Sequence, residues 1–230
     1  MDKKSLQSEV ASYIGKLLRD NFGKGPSSVY ASIEEPYITI YLRGFLAPME
    51  RVLVGQDNEM KVEETRDLLM YQLLPEIKAT LKLMTGFQVN EMYYDWSLTN
   101  QSGMFVCTIS DCEENENESL DYSAKEKLHD EITRVSELAE KAPEKVESYM
   151  LNSRTLLIIR EGILVRIEKE LIRSGFSEVL KLTKRKLEKT LLRQSYCETI
   201  LEQEVLDVFA DWDFDQDKSY ILFILKPNTR

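Results

Sequence analysis

The chain has 230 residues, of which 43% are hydrophobic and 30% are charged, so it suits one or two globular domains. Its formal net charge of −10 argues against nucleic acid as the main partner. The three cysteines form no paired framework, the N-terminus has no apolar signal region, and no apolar stretch approaches the ~20 residues of a membrane helix. We therefore expect a cytoplasmic protein without a membrane span.

The first half of the chain predicts a helix, two strands, a short helix, a long helix and two more strands. The helices show apolar residues at helical spacing, whereas the strands are short β-branched or aromatic runs bounded by Gly and Pro. Pro75 within the long helix predicts either a kink or two abutting helices. The predicted elements are 5–21, Val29–Ile33, Tyr37–Arg43, Pro48–Val54, Lys61–Thr85, Val89–Asp95 and Gly103–Ser110.

The same pattern returns in the second half. Gly162 follows Gly44 by 118 positions, and Asp211-Trp212 follows Asp95-Trp96 by 116. A shift that changes so little along the unit indicates a tandem duplication. The fold predicted is α+β, with two tandem α-β-β-α-β-β units, each a four-stranded, mainly antiparallel sheet covered on one face by helices.

A short acidic run separates the two copies. Residues 111–122 contain six acidic and no basic side chains. Too few apolar groups are present to offset the entropy of ordering, so Asp111–Tyr122 is expected to be mobile. The predicted boundaries are 1–110 for the first unit, 111–124 for the linker and 125–230 for the second unit.

Glu50, Arg66 and Asp95 are the candidate ligand-binding residues of the first unit. Glu50 recurs as Glu168, and Arg66 stands where the second copy has Lys184. A carboxylate and a cation at equivalent places are typical of a structural ion pair between neighbouring helices. The same residues would also suit a pocket for an anion or a metabolite, and the sequence leaves both interpretations open.

The sequence contains no recognisable catalytic set or metal site. Asp211, Asp213 and Asp215 resemble the start of a calcium loop, but Gln216 replaces the required Gly and Leu222 replaces the required Glu. His129 is the single histidine, and no partners stand at ligand spacing. We expect no metal, no cofactor and no enzymatic activity.

A second apolar stripe marks the predicted long helix 178–201 of the second copy. A helix that is apolar on two sides needs two partners. The stripe could pack against the other repeat, or it could form a dimer or partner surface. Its members are Leu182, Leu192, Tyr196 and Ile200.

The two tryptophans occupy equivalent strand ends. Strand alternation places Trp212 with Ala210 and Phe214, on the apolar face. We predict that both Trp96 and Trp212 are at least half buried.

Several of these features together resemble the MpsC-like family of small bacterial proteins, long described as of unknown function. The resemblance is carried by Gly23–Pro26, Gly44, the Leu46–Glu50 segment, Arg66 and the strand pair around Asp95. It covers residues 5–110 and, more weakly, 125–226, and the second copy departs from it at Glu140, Ala142 and Lys184. We expect that copy to keep the fold and to have lost any site.

The family is described as the third component of a sodium-translocating, membrane-potential-generating system. The resemblance implies a non-enzymatic accessory or regulatory protein that binds a protein partner. That partner would be a membrane ion or inorganic-carbon transport complex or a second copy of the chain. The alternative is a small-ligand sensor that uses the first unit.

Overall fold

A computed structural model of the chain describes residues 2–110 and 121–227. The chain divides into two compact units, Met1–Glu114 and Asn115–Arg230. The two units are α+β and have similar element orders, which confirms the predicted fold class.

The first unit follows the predicted order closely, and each predicted boundary lies within two residues of the observed one. Its elements are α1 (Lys3–Phe22), β1 (Ser28–Glu34), β2 (Tyr37–Arg43), α2 (Pro48–Val54), α3 (Glu59–Thr85), β3 (Gln88–Ser97) and β4 (Ser102–Ser110).

The second unit repeats this order with one additional helix. Its elements are α4 (Lys125–Ala139), β5 (Lys145–Asn152), β6 (Thr155–Glu161), α5 (Arg166–Arg173), α6 (Ser177–Arg193), α7 (Cys197–Leu201), β7 (Val205–Asp213) and β8 (Lys218–Leu225).

Each unit contains one four-stranded antiparallel sheet. The strand orders are β1-β2-β4-β3 and β5-β6-β8-β7. In the first unit, α1, α2 and α3 pack with one sheet face around a core that includes Ile14, Phe45, Met70 and Trp96. Trp212 lies in the corresponding core of the second unit. Both tryptophans are buried, as predicted.

The turn from the second strand to the short helix depends on glycine in both units. Gly44 has φ +64° and Gly162 has φ +66°, a region that other residues rarely adopt. A Cβ on Gly44 would lie 2.3 Å from Ser27 Oγ, and one on Gly162 would collide with the Glu144 side chain. This turn directs α2 and α5 back over the sheet.

Helix α3 runs unbroken through Pro75, so the prediction of two abutting helices is wrong. Pro75 lies on the exposed side of α3. The Tyr71 carbonyl, which would otherwise accept a bond from the N–H of residue 75, is therefore on the side that faces water. Solvation of that carbonyl allows the helix to continue.

The single helix predicted over 178–201 is wrong, because α6 ends at Arg193 and α7 begins at Cys197. Between them, Tyr196 N donates to Glu131 Oε1 at 2.8 Å, and Ser195 Oγ donates to Leu192 O at 2.6 Å. These bonds compete with the helical pattern at this point. One of these bonds is made to a carboxylate 65 positions away, which local periodicity cannot reveal.

The turn between β7 and β8 carries two aspartates. Strand β7 ends at Asp213, so Asp215 and Asp217 lie in the hairpin turn and not on the strand face. Asp217 Oδ1 accepts bonds from the N–H groups of Ile163 and Leu164, both at 2.8 Å, and Oδ2 pairs with Lys169 Nζ at 2.8 Å. Asp217 therefore fixes the turn before α5.

Most of the predicted mobile linker, residues 111–120, lies outside the described residues. At its end, the Tyr122 hydroxyl hydrogen-bonds Ser148 Oγ of β5 at 2.6 Å, so this residue is attached to the second unit. Within 2–110 and 121–227, no helix combines the length and hydropathy needed to cross a bilayer.

Candidate functional site

Glu50 and Arg66 form an ion pair that joins α2 to α3. Arg66 Nε donates to Glu50 Oε1 at 2.8 Å, and Arg66 Nη2 donates to Glu50 Oε2 at 2.7 Å. Glu50 Oε2 also accepts the Ala47 N–H at the start of α2, at 2.7 Å. A bidentate pair of this kind fixes geometry as well as charge. Glu50 thus stabilises the helix N-terminus and attaches it to α3.

The Arg66 guanidinium lies among aromatic rings. Its Cζ is 4.6 Å from the Phe45 ring centroid and 4.7 Å from that of Trp96, and Nη2 also donates to Phe45 O at 3.0 Å. Arg66 is fully buried. The planar guanidinium of arginine, with its delocalised charge, is better suited than the ammonium of lysine to stack on aromatic rings in this partly desolvated position.

The second unit has the same pair with a lysine in place of the arginine. Lys184 Nζ donates to Glu168 Oε1 at 2.8 Å, and Glu168 Oε2 accepts the Val165 N–H at 2.9 Å. Lys184 also donates to Glu140 and lies 3.5 Å from Glu188 Oε1. One ammonium is therefore shared among three carboxylates.

A second buried ion pair, without an equivalent in the first unit, completes the cluster. Arg160 donates from Nη2 to Glu188, from Nε to Ser219 Oγ at 2.9 Å and from Nη1 to Ser136 Oγ at 2.8 Å. The equivalent positions of Arg160 and Glu188 in the first unit are Leu42 and Met70, which are buried apolar residues. The second unit has thus gained charge in its core.

The cluster has unequal numbers of cations and anions. Lys184 and Arg160 face Glu140, Glu168 and Glu188, which sums to one excess negative charge. Burial raises the pKa of Glu140 to about 7, with further upward contributions from Glu188 and Glu168, although Lys184 opposes the rise. Desolvation lowers the pKa of Lys184, but the surrounding carboxylates outweigh it and the net direction is upward. Burial therefore makes protonation of Glu140 easier than that of a carboxyl in water.

The structure joins two of the three predicted ligand residues. Asp95 is buried on β3, where its Oδ1 accepts the Trp96 N–H at 2.6 Å. Because adjacent strand residues point to opposite faces, Asp95 lies on the other side of β3 from the Trp96 ring that contacts Arg66. The structural ion-pair interpretation describes Glu50 and Arg66, and ligand binding by these residues stays a prediction.

The four predicted interface residues have different environments. Leu182 and Leu192 are buried, and Leu192 belongs to the core of the second unit. Tyr196 is 66% exposed and lies between α6 and α7, and Ile200 packs partly against the core. The residues therefore do not form one continuous helical stripe, and their role in binding stays a prediction.

A pair of exposed side chains was missed by the sequence reasoning. Met49 is 77% exposed and Ile167 is 66% exposed, and each immediately precedes the glutamate of the ion pair. Adjacent helix positions are about 100° apart, so a glutamate held inward directs its neighbour outward. The sequence does contain a signal for these residues, because an apolar residue precedes the glutamate in both copies.

The single histidine of the chain lies beside a serine. His129 Nε2 lies 2.7 Å from Ser148 Oγ, and burial and Lys125 lower the pKa of His129. Across the described ranges, no group of three or more His, Cys, Asp or Glu side chains is positioned to hold a metal ion.

Comparison with known proteins places both units in one family. The family described as "Na+-translocating membrane potential-generating system (MpsC)" matches residues 2–111 and 122–227. The chain is 28% identical over 115 residues to the uncharacterized protein YbcI of Bacillus subtilis (strain 168), an alignment that covers 50% of this chain and 91% of YbcI. No solved structure matches the chain. YbcI thus has about the length of one unit, and the present chain, with two units, belongs to the MpsC family.

Proposed function

We propose that the chain is a non-enzymatic accessory protein that binds a protein component of a membrane-potential-generating ion transport system on the cytoplasmic side. The observation that carries the proposal is the recurrence of an exposed apolar residue, Met49 or Ile167, at the start of the short helix in both units. Family membership supports the link to such a system.

The ion pairs support a scaffolding role over a catalytic one. Glu50 and Glu168 each bind a cation and a backbone N–H at the start of the short helix. Their carboxylate oxygens therefore stabilise the position of that helix. Arg66 and Lys184 are buried beneath that helix. The pairs fix the orientation of Met49 and Ile167, which reduces the entropy lost when a partner binds them.

The test is affinity purification of the full chain from native-host membranes in mild detergent, followed by mass spectrometry. We expect wild type to recover subunits of an ion-translocating membrane complex. The Met49→Ser/Ile167→Ser double variant should recover at least about tenfold less, as for loss of two central anchors. Both residues are exposed, so the variant should keep its Tm.

Leu138→Ser is the matched control, because Leu138 is 62% exposed and belongs to α4, not to either short helix. It should recover the same subunits as wild type. Wild-type chain that recovers no membrane transport subunit contradicts the proposal. Equal recovery by the double variant would contradict the role of the short helices.

A further inference from the structure

The outer face of α3 carries an exposed apolar stripe. Leu68 is 72% exposed, Tyr71 80% and Leu83 86%, and Pro75 and Ala79 between them are also exposed. The spacings of three or four residues place all five on one side of the helix. Exposed large apolar side chains that form a row, and do not occur singly, mark an interaction surface.

The larger part of the stripe is confined to the first unit. The positions equivalent to Leu68, Tyr71 and Pro75 are Lys186, Lys189 and Arg193 of α6, whereas Leu83 recurs as the partly buried Leu201 of α7. The fold therefore does not require apolar residues at the first three positions, where α6 has cations. A surface found in one copy of a duplicated fold points to a function specific to that copy.

The charges beside the stripe are arranged for pairing with the same surface turned end for end. Glu64 precedes the stripe and Lys82 lies next to its last residue, and both are exposed on the same flank of α3. They are 18 positions apart, about 27 Å along the helix. Two antiparallel copies centred between Tyr71 and Pro75 place Glu64 of each against Lys82 of the other.

Two apolar contacts lie close to the axis in that register. Tyr71 lies opposite Pro75, and Leu68 lies opposite Lys78, one residue from the small Ala79 of the second copy. Each contact occurs twice, as a twofold axis requires.

We propose that the α3 stripe (Leu68, Tyr71, Pro75, Ala79 and Leu83) binds the same stripe of a second copy of this chain, as an antiparallel helix pair. This inference is independent of the proposed accessory function. A membrane surface fits less well, because the exposed face of α3 mixes Lys61 and Lys82 with Glu64 and Glu76 and has no basic excess. One helix face per copy is a small interface, so association should be in the micromolar range.

Sedimentation velocity of the full chain over a concentration series up to about 200 µM tests the proposal, a range that spans micromolar dissociation constants. We expect a concentration-dependent dimer. Leu68→Glu should raise the dimer Kd at least about 100-fold, as for a charge buried at the centre of an interface. Lys186→Glu, the same new side chain at the equivalent position of α6, should leave it unchanged.

Charge reversal tests the antiparallel arrangement. Glu64→Lys and Lys82→Glu should each raise Kd about two- to fivefold, and combining them should restore the wild-type value. Antiparallel copies re-form both pairs in the double variant, whereas parallel copies would not.

Four outcomes overturn the proposal. Wild-type chain that stays monomeric throughout excludes the dimer, and a dimer insensitive to Leu68→Glu uses another surface. Monomeric chain that binds phosphatidylcholine–phosphatidylserine vesicles, and loses binding on Leu68→Glu, would assign the stripe to a membrane. A dimer sensitive to Leu68→Glu but unaffected by the charge reversals contradicts the antiparallel arrangement.

Discussion

The two units differ most at the cation below the short helix. Arg66 uses its planar fork for one carboxylate and its faces for two aromatic rings. Lys184 is a compact charge that lies 5.8 Å from the Trp212 ring and collects three carboxylates. The difference shows that Arg and Lys at equivalent positions require different surroundings. In the second unit, Arg160 pairs with Glu188, one of the carboxylates around Lys184.

The largest effect should come from removing the tryptophan beneath each cation. Trp96 contacts Phe22, Phe45 and Phe105 as well as Arg66. We expect Trp96→Ala to destabilise the first unit by about 3–5 kcal/mol, and Trp212→Ala to destabilise the second by somewhat less. Hydrogen exchange read by mass spectrometry assigns each loss to its unit.

Trp96→Phe is the conservative control and should retain more stability than Trp96→Ala. A Trp212→Ala chain with faster exchange in the first unit would show that the units are not separately cooperative. A tryptophan variant that kept its Tm but lost the membrane partner would make the ring an interface anchor.

The buried Arg160–Glu188 pair offers the sharpest test of the comparison, because the first unit provides its apolar replacement. Arg160→Leu alone leaves Glu188 buried beside other carboxylates and should cost about 3–5 kcal/mol. Arg160→Leu/Glu188→Met introduces the residues found at Leu42 and Met70. The double variant should lie within about 2 kcal/mol of wild type or exceed it.

Urea unfolding of wild type, both single variants and the double variant measures the coupling free energy. Additive losses would mean that the two side chains act separately, contrary to the observed contact. A double variant as unstable as Arg160→Leu would show that Ser136 and Ser219, which both bond Arg160, cannot adapt to leucine.

The fold was predictable because its signals are local and occur twice. Gly44 and Gly162 mark the same turn, and Pro48 marks the start of α2 where the structure has it. Apolar periodicity does not describe the buried face of α6, where Leu187 is 44% exposed while Lys184 and Glu188 are buried. An interpretation based on periodicity assigns charged side chains to the solvent-exposed face. It cannot show that the charge of Glu188 is paired with Arg160 on a strand distant in sequence.

The candidate site was predictable in part for the same reason. The recurrence of Glu50 as Glu168 pointed to the ion pair. Asp95 lies apart from the ion pair, because strand alternation places it on the opposite face of β3 from the Trp96 ring. The α3 stripe was missed because Leu68 and Tyr71 have no apolar counterparts in the second copy.

A smaller effect is expected from exchanging the cation type. Arg66→Lys keeps the charge but loses the second bond to Glu50 and the bond to Phe45 O, and should cost about 1–3 kcal/mol in the first unit. Thermal unfolding measures the loss. The first unit lacks the additional carboxylates that surround Lys184, so a lysine at position 66 would not gain their bonds. A cost near zero would therefore contradict the importance of the bidentate geometry.

A further test of the comparison is the pH dependence of the second unit. The pKa of Glu140 is about 7 in the folded chain, against an ordinary value of 4.5. Between these pH values the folded state holds a proton that the unfolded state has released. The stabilising contribution of this group is therefore complete below about pH 4.5, and it is lost as pH rises through about 7.

Glu140→Gln imitates the protonated carboxyl and should remove this dependence. At pH 5 the variant should match wild type, and at pH 8 it should have the higher Tm. About 1 kcal/mol moves the Tm of a domain this size by about 4–8 °C, so differential scanning calorimetry can resolve the change. Glu137→Gln, exposed on the same helix, should leave the Tm difference between pH 5 and pH 8 unchanged. If Glu140→Gln instead lowers Tm more at pH 8 than at pH 5, Glu140 is stabilised as the carboxylate by Lys184, and the excess negative charge of the cluster is balanced without a proton.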